Sequence, residues 1–407
     1  MTNAQSAFLY ILRSELQQTP LETALLPALT DSEWNDLLAL SYRQFLLPFV
    51  VEALFDAGIS TLPARFSEYR RIAAAQVIRQ VTQSIEFKAL YQKLRGKGLH
   101  PVVVKGSLCS RLYPRQNFRI SADDDLYVPE EEFSDCRREL LAYGLSQDVS
   151  GADAETADEI GFRDDKRCLF IELHRRLFDS GPADVPEDLN AFFHTSLKTE
   201  AESADGMLSL PPHTHLLYLL LHARKHFIVS GVGIRQTCDI ALWITAHAEH
   251  IDWQLLLRQC QSVHAELFAA AQFELAEAYL GFQFPLPPAW RAIRVDPLPM
   301  LADMLDGGVH GANSLTRLHS STVTLNALKA NRSGKQPGIL HSLFPDKKYM
   351  EVRYPYLRKH PLLLPAAWIS RFFRYAAEMR THPDDSAGAS LRLAQSRIRL
   401  LRQYGIL

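Results

Sequence analysis

Three consecutive aspartates, Asp123, Asp124 and Asp125, run into a short apolar stretch, Leu126 to Val128. Side chains on a strand alternate between faces. Asp123 and Asp125 therefore share one side with Tyr127, while Asp124, Leu126 and Val128 share the other, with Leu126 and Val128 pointing to the core. Two carboxylates that close repel, and a divalent cation relieves the repulsion. Hard oxygen donors at this spacing suit Mg2+ or Mn2+. Asp124 reads as an extra solvated charge at the strand's mouth. Taken alone, the three aspartates equally describe a solvated acidic turn.

A third carboxylate lies in Phe170-Ile-Glu172-Leu-His174, on another strand-like run. Glu172 and His174 are two residues apart and face the same way. A charged Glu between Phe170, Ile171 and Leu173 is expensive to bury unless it is paired or metal-bound. The alternative is a structural salt bridge to Arg119 or Arg175. Two carboxylates on one strand and a third on a neighbour make a metal clamp suited to phosphoryl transfer. Upstream, Lys105-Gly106-Ser107 follows the β-branched run Val102 to Val104 and precedes a short helical stretch, Ser107 to Tyr113. Glycine permits close approach of backbone to a ligand, and helix-start N–H groups favour an anion such as a triphosphate. An ordinary strand-to-helix turn has the same pattern.

A second cluster comprises His213, His215, His222, Lys225 and His226. On a helix His222 and His226 share a face. Position 223 is Ala, so the H-E-x-x-H zinc motif is absent. Lys225 and His226 are candidates for phosphate or substrate contact, against ordinary packing between helices. Arg235 and Asp239, four apart, read as a helix-surface salt bridge.

These groups need a scaffold. Residues 1–98 read as helical, with Ile72, Val77, Val81, Ile85 and Leu90 marking the apolar face of a helix from Phe66 to Leu94. Strands are expected at Pro101–Val104, Asp125–Val128 and Cys168–Leu173, and a helix at Glu130–Tyr143. Residues 147–160 read as a solvated acidic loop. Helices return after about residue 208, at Thr214–His226, Gln236–His247 and Trp253–Leu280. Residues 306–338, rich in Gly, Ser and Asn, read as a long mobile connection. Helical character resumes near 348. From 351 to the end ten Arg or Lys face four acids, with aromatics interleaved. That composition fits contact with an anionic partner, or a bundle with a solvated basic face.

Composition sets limits. The 407 residues are 47% hydrophobic and 22% charged, with a net charge of −2. This excludes a strongly basic nucleic-acid coat and an acidic disordered chain. Five cysteines without close pairing argue against a disulfide framework and for a reducing cytoplasm. The N-terminus lacks the basic start of a signal peptide, and no run of about 18 apolar residues suggests a spanning helix.

Lys-Gly-Ser, Leu-Tyr-Pro at 112–114, Arg119, Asp123-x-Asp125-Leu-x-Val and Ile-Glu172-Leu-His174 occur in that order. The series resembles the nucleotidyltransferase family of the DNA polymerase β superfold. More narrowly, it resembles the bacterial group known simply as nucleotidyltransferase family proteins. The Arg119-x-Ser121-x-Asp123 segment also resembles abortive-infection and toxin nucleotidyltransferases. Fifteen residues separate Ser107 from Asp123, a longer interval than in the superfold's commonest form. The resemblance implies an α+β protein: a small mixed-sheet core at 99–207, flanked by helical regions at 1–98 and 208–407. It implies metal binding by Asp123, Asp125 and Glu172. Nucleotide contact falls to Lys105, Gly106, Ser107, Arg119 and Ser121, with His174, Lys225 and His226 on the acceptor side. The expected reaction moves an NMP from an NTP, ATP first, to a hydroxyl or phosphate, using Mg2+ or Mn2+ and releasing pyrophosphate. The acceptor could be a small molecule, a peptide or protein, or RNA. The rivals are a toxin-like enzyme acting on tRNA and a non-catalytic nucleotide-binding scaffold.

Overall fold

The computed structural model describes residues 1–59, 62–148, 153–178, 185–199, 201–202, 206–229, 231–307, 347, 350–351, 354–358, 360–370 and 387–407. Four helices open the chain: α1 (Asn3–Leu16), α2 (Asp31–Arg43), α3 (Leu47–Asp56) and α4 (Phe66–Gly96). Thr2 with Gln5, and Thr30 with Glu33, form reciprocal caps that satisfy the first N–H groups of α1 and α2.

The sheet follows. Its strands are β1 (Val102–Val103), β2 (Asp124–Tyr127), β3 (Ser146–Gln147), β4 (Glu159–Asp164), β5 (Leu169–His174), β6 (Ala201–Glu202) and β7 (Leu208–Ser209). Among the described residues their order is β3-β4-β5-β2-β1-β7-β6. The β2–β5 and β1–β7 pairs are parallel and the others antiparallel, so the sheet is mixed. Between the strands lie α5 (Ser107–Ser110), α6 (Glu130–Tyr143), α7 (Asp153–Thr156) and α8 (Glu187–Ser196). Gly144 ends α6 in the left-handed conformation that glycine adopts most readily.

Helices then return as α9 (Pro212–Val229), α10 (Ile234–His247), α11 (Trp253–Ser262), α12 (Glu266–Leu280), α13 (Pro288–Arg291) and α14 (Leu298–Gly307). A C-terminal helix spans Ala387–Gln403. The fold is α+β. One continuous apolar core runs from Ala4 in α1, through the sheet, to Ile406. α1 packs on α12, so the N-terminal helices and the helices after the sheet share this core.

Several expectations are corrected. The acidic stretch at 147–160 is not all loop, since it includes part of β3, all of α7 and the start of β4. Ile160 and Phe162 of β4 are fully buried and pair with β5, although acids and a glycine around them obscure the alternation. Cys168 lies in the turn before β5 with φ of 56°. The stretch 253–280 is two helices, broken where His264 takes φ of 53°. On α4, Ile85 is 63% exposed, and the buried face instead carries Ala73, Gln80, Gln83, Phe87, Leu90, Tyr91 and Leu94. The expected connection at 306–338 lies, beyond Gly307, outside the described residues. So do Arg353, Lys359, Arg371, Arg374 and Arg380 of the basic stretch.

Where the C-terminal helix is described, it is anchored. Arg397 is 2% exposed and pairs with Asp303 of α14 at 2.9 Å. The Tyr404 hydroxyl accepts the Met300 N–H at 3.0 Å and donates to the Asp296 carbonyl at 2.8 Å. This caps the start of α14. Tyr404→Phe removes both bonds and leaves a buried N–H unpaired, so the unfolding free energy measured in urea should fall by about 1–3 kcal/mol. No change would mean that the cap contributes nothing.

Candidate active site

β1 leads into Lys105-Gly106-Ser107, and the turn has a defined conformation. Gly106 has φ of 60° and ψ of −116°, and a Cβ there would lie 2.2 Å from Asp124 Oδ1 and 2.8 Å from the Asp123 carbonyl. Only glycine fits. The neighbour that crowds it is Asp124, which is buried and not a solvated charge at the strand's mouth. Alternation explains the correction, because Asp124 falls on the same side as Leu126 and Val128. Its Oδ1 accepts the Ser107 N–H at 2.7 Å, and its Oδ2 accepts the Gln83 side-chain amide at 3.0 Å. Burial raises its pKa, against these hydrogen bonds. Gln80, one turn before Gln83, accepts the Ser121 N–H at 2.7 Å. These glutamines were not anticipated. Their signal is two amides three residues apart on a face that also carries Ala73, Phe87 and Leu94.

The other two aspartates face the opposite way, with a lysine between them. Lys105 Nζ is 3.2 Å from Asp123 Oδ2 and 3.4 Å from Asp125 Oδ2. The parallel register of β2 and β5 sets Asp125 beside Glu172. His174 Nε2 lies 3.4 Å from Asp125 Oδ1 and 3.7 Å from Glu172 Oε2. Its Nδ1 is 3.6 Å from Glu159 Oε2, a fourth carboxylate that was not foreseen. Burial would raise Asp125, but Lys105 and His174 outweigh it and hold the carboxyl well below the usual range. Burial pushes Glu172 up to about 7, against its contact with His174. Burial disfavours the His174 cation, yet Asp125 and Glu172 raise it to about 10.

Ligand atoms from Asp125, Glu172 and His174 lie within 4.8 Å of one another, the spacing of a metal-binding group. Buried Asp125 Oδ2 takes no hydrogen bond from any described residue, and neither does buried Ser107 Oγ. An ion-paired carboxylate oxygen without a hydrogen bond fits a cation ligand.

Arg119 and Ser121 are placed differently from the rest of the expected set. Arg119 has no exposed surface. Its Nε and Nη2 form a two-pronged pair with Asp239 of α10 at 2.8 and 2.7 Å. Tyr113 donates to the same carboxylate at 2.8 Å, and Arg119 Nη1 reaches the Gly106 carbonyl at 3.4 Å. Arg235 and Asp239 are therefore not a surface pair. Both are buried, and Arg235 donates to the Ile120 carbonyl at 3.0 Å. The Ser121 hydroxyl donates to the Asp123 carbonyl at 2.8 Å.

α9 supplies a neighbouring wall. His222 and His226 approach each other, with Nε2 atoms 2.9 Å apart, and the Tyr218 hydroxyl is 3.3 Å from His222 Nδ1. Lys225 lies beside them in sequence and is half-buried. His213 bonds Gln259 at 2.9 Å, and His215 stacks on Trp243 with ring centroids 3.9 Å apart. These two histidines belong to helix packing.

The family of uncharacterised nucleotidyltransferases matches residues 30–281, and the chain belongs to that family. No curated protein and no solved structure matches the chain. Among the described residues, no helix is long and apolar enough to cross a membrane. Gly106→Ala forces a side chain against Asp124 in a conformation that costs about 1–3 kcal/mol. Its unfolding free energy in urea should fall by at least that amount. A variant as stable as the wild type would show that the Asp124 brace yields freely.

Proposed function

We propose that the protein transfers a nucleoside monophosphate from an NTP to an acceptor and releases pyrophosphate. Asp123, Asp125 and Glu172 are the residues that would hold a divalent cation, Mg2+ or Mn2+. The observation that carries this reading is the cross-strand register that places Glu172 beside Asp125, with Asp123 tied to the same cluster through Lys105. Membership of the nucleotidyltransferase family supports it. The mixed sheet, with acids on neighbouring parallel strands, supports the DNA polymerase β superfold. Buried free cysteines at 109, 136, 238 and 260 are in keeping with a reducing cytoplasm.

A bound divalent cation would screen the triphosphate and polarise the reacting phosphoryl group. Around it each residue has its own task. Lys105 keeps Asp123 and Asp125 side by side and offers a positive charge to the phosphates. The Ser107 N–H is committed to Asp124. The turn therefore presents the Ser107 hydroxyl to the phosphates, and Gly106 lets the backbone come close. Arg119 acts from behind by holding the Gly106 carbonyl, and Ser121 by holding that of Asp123. His174 orients Asp125 and Glu172. Lys225 and His226 belong to the α9 wall on the acceptor side.

The test is label transfer from α-³²P ATP, then the other three NTPs, with Mg2+ or Mn2+ and fractionated cell lysate as acceptor. Label should appear on a small molecule, protein or RNA, and Asp123→Ala/Asp125→Ala should abolish it. Label on tRNA would assign the toxin-like reading. Metal-dependent NTP binding without any transfer would leave a scaffold, and the proposed reaction would be wrong.

A further inference from the structure

Tyr218, His222 and His226 recur every four residues along α9 and so stack on one face. Their ring centroids are 5.4 and 4.5 Å apart. The polar atoms connect in series: Tyr218 Oη to His222 Nδ1 at 3.3 Å, then His222 Nε2 to His226 Nε2 at 2.9 Å. Two imidazole nitrogens that close share one proton, because one must donate and the other accept. Each group can thus pass one proton on while taking another. The row also runs outward, since Tyr218 is 1% exposed whereas His222 and His226 are only half-buried.

The inner end lies in the field of the carboxylates. Burial, then Asp125, Glu172 and Asp123, push the Tyr218 hydroxyl well above its ordinary range. Burial, then Lys105 and His226, push His222 well below the imidazole range, against Asp125 and together with Lys225. Tyr218 and His222 are therefore uncharged at rest. The same lysines make the row a poor site for a second metal ion.

Given the nucleotidyl transfer proposed above, we propose that Tyr218, His222 and His226 form a proton relay, and that the acceptor is an alcohol-type hydroxyl. Carboxylate oxygens that hold a cation are weak proton acceptors, so the acceptor's proton needs another exit. A phosphate acceptor already presents an oxygen that carries no proton near neutral pH, and needs no such exit. In the relay, the acceptor O–H gives its proton to Tyr218 Oη. The Tyr218 proton passes to His222 Nδ1, and the His222 Nε2 proton to His226 Nε2. The electron pair left on the acceptor oxygen forms the new bond to the α-phosphorus. The bond from that phosphorus to the bridging oxygen breaks, and its pair leaves with pyrophosphate. His226 ends as an imidazolium at the outer end, where water takes the proton.

The test uses purified full-length protein, ATP and Mn2+, with glycerol as the hydroxyl probe and inorganic phosphate as the phosphate probe. Glyceryl-AMP and ADP are resolved by chromatography. His222→Gln and Tyr218→Phe, each checked for an unchanged thermal transition, should shift the ratio of glyceryl-AMP to ADP about 100-fold toward ADP. The solvent deuterium isotope effect on the glycerol reaction should shrink in both. A proportional fall in both products, or no change in the ratio, would overturn the relay and leave nucleotidyl transfer standing. Product from neither probe in the wild type would overturn the transfer reading, and the relay with it.

Discussion

Collecting carboxylates in a protein interior is the constraint around which this molecule is arranged. Asp123, Asp125 and Glu172 converge on one face of the sheet, with Glu159 at its margin. Removing each ion from water costs several kcal/mol. Lys105 and His174 offset this through contacts of 3.2–3.7 Å. At an effective dielectric of about 20, a charge pair at that distance supplies roughly 4–5 kcal/mol. Attraction and desolvation are thus of the same order. A cluster so balanced can exchange one positive charge for another without unfolding, which a site that loads and releases a charged ligand requires.

Distant parts of the chain hold this cluster in place. Gln80 and Gln83 of α4 bind the loop before β2 and the Asp124 carboxylate behind it. The Arg119–Asp239 pair joins that loop to α10, across 120 residues of sequence. Breaking one partner of such a buried pair strands a charge in the interior, which is far more costly than the pair's net contribution. The helices before and after the sheet therefore hold the carboxylate face in register. The continuous core from α1 to the last residues is consistent with that dependence.

How much of this was legible in the sequence follows from the range of each interaction. The alternation of Asp123, Asp125 and Leu126 is local, and it gave the correct face for each. Glu172 and His174 announced themselves because charge among Phe170, Ile171 and Leu173 is anomalous. The sequence around Glu130–Tyr143 carried both its helix and its glycine stop. What could not be read depended on partners remote in the chain. Asp124 looked solvated because nothing nearby announces Gln83 or the Ser107 N–H. Arg119 looked available because Asp239 lies in another region. Ile85 looked like core because periodicity finds a face without saying which face is covered. β4 was missed because Gly161 and the surrounding acids dilute the signal of Ile160 and Phe162.

The carboxylate face is proposed as a divalent-cation site. Titrating the protein with Mn2+, and following the free-ion signal by electron paramagnetic resonance with and without ATP, tests it most directly. Mn2+ binding should be saturable and tightened by ATP, and should be lost in Asp125→Asn while the variant keeps its thermal transition. Mn2+ binding that is absent in the wild type, or unchanged in Asp125→Asn, would contradict it.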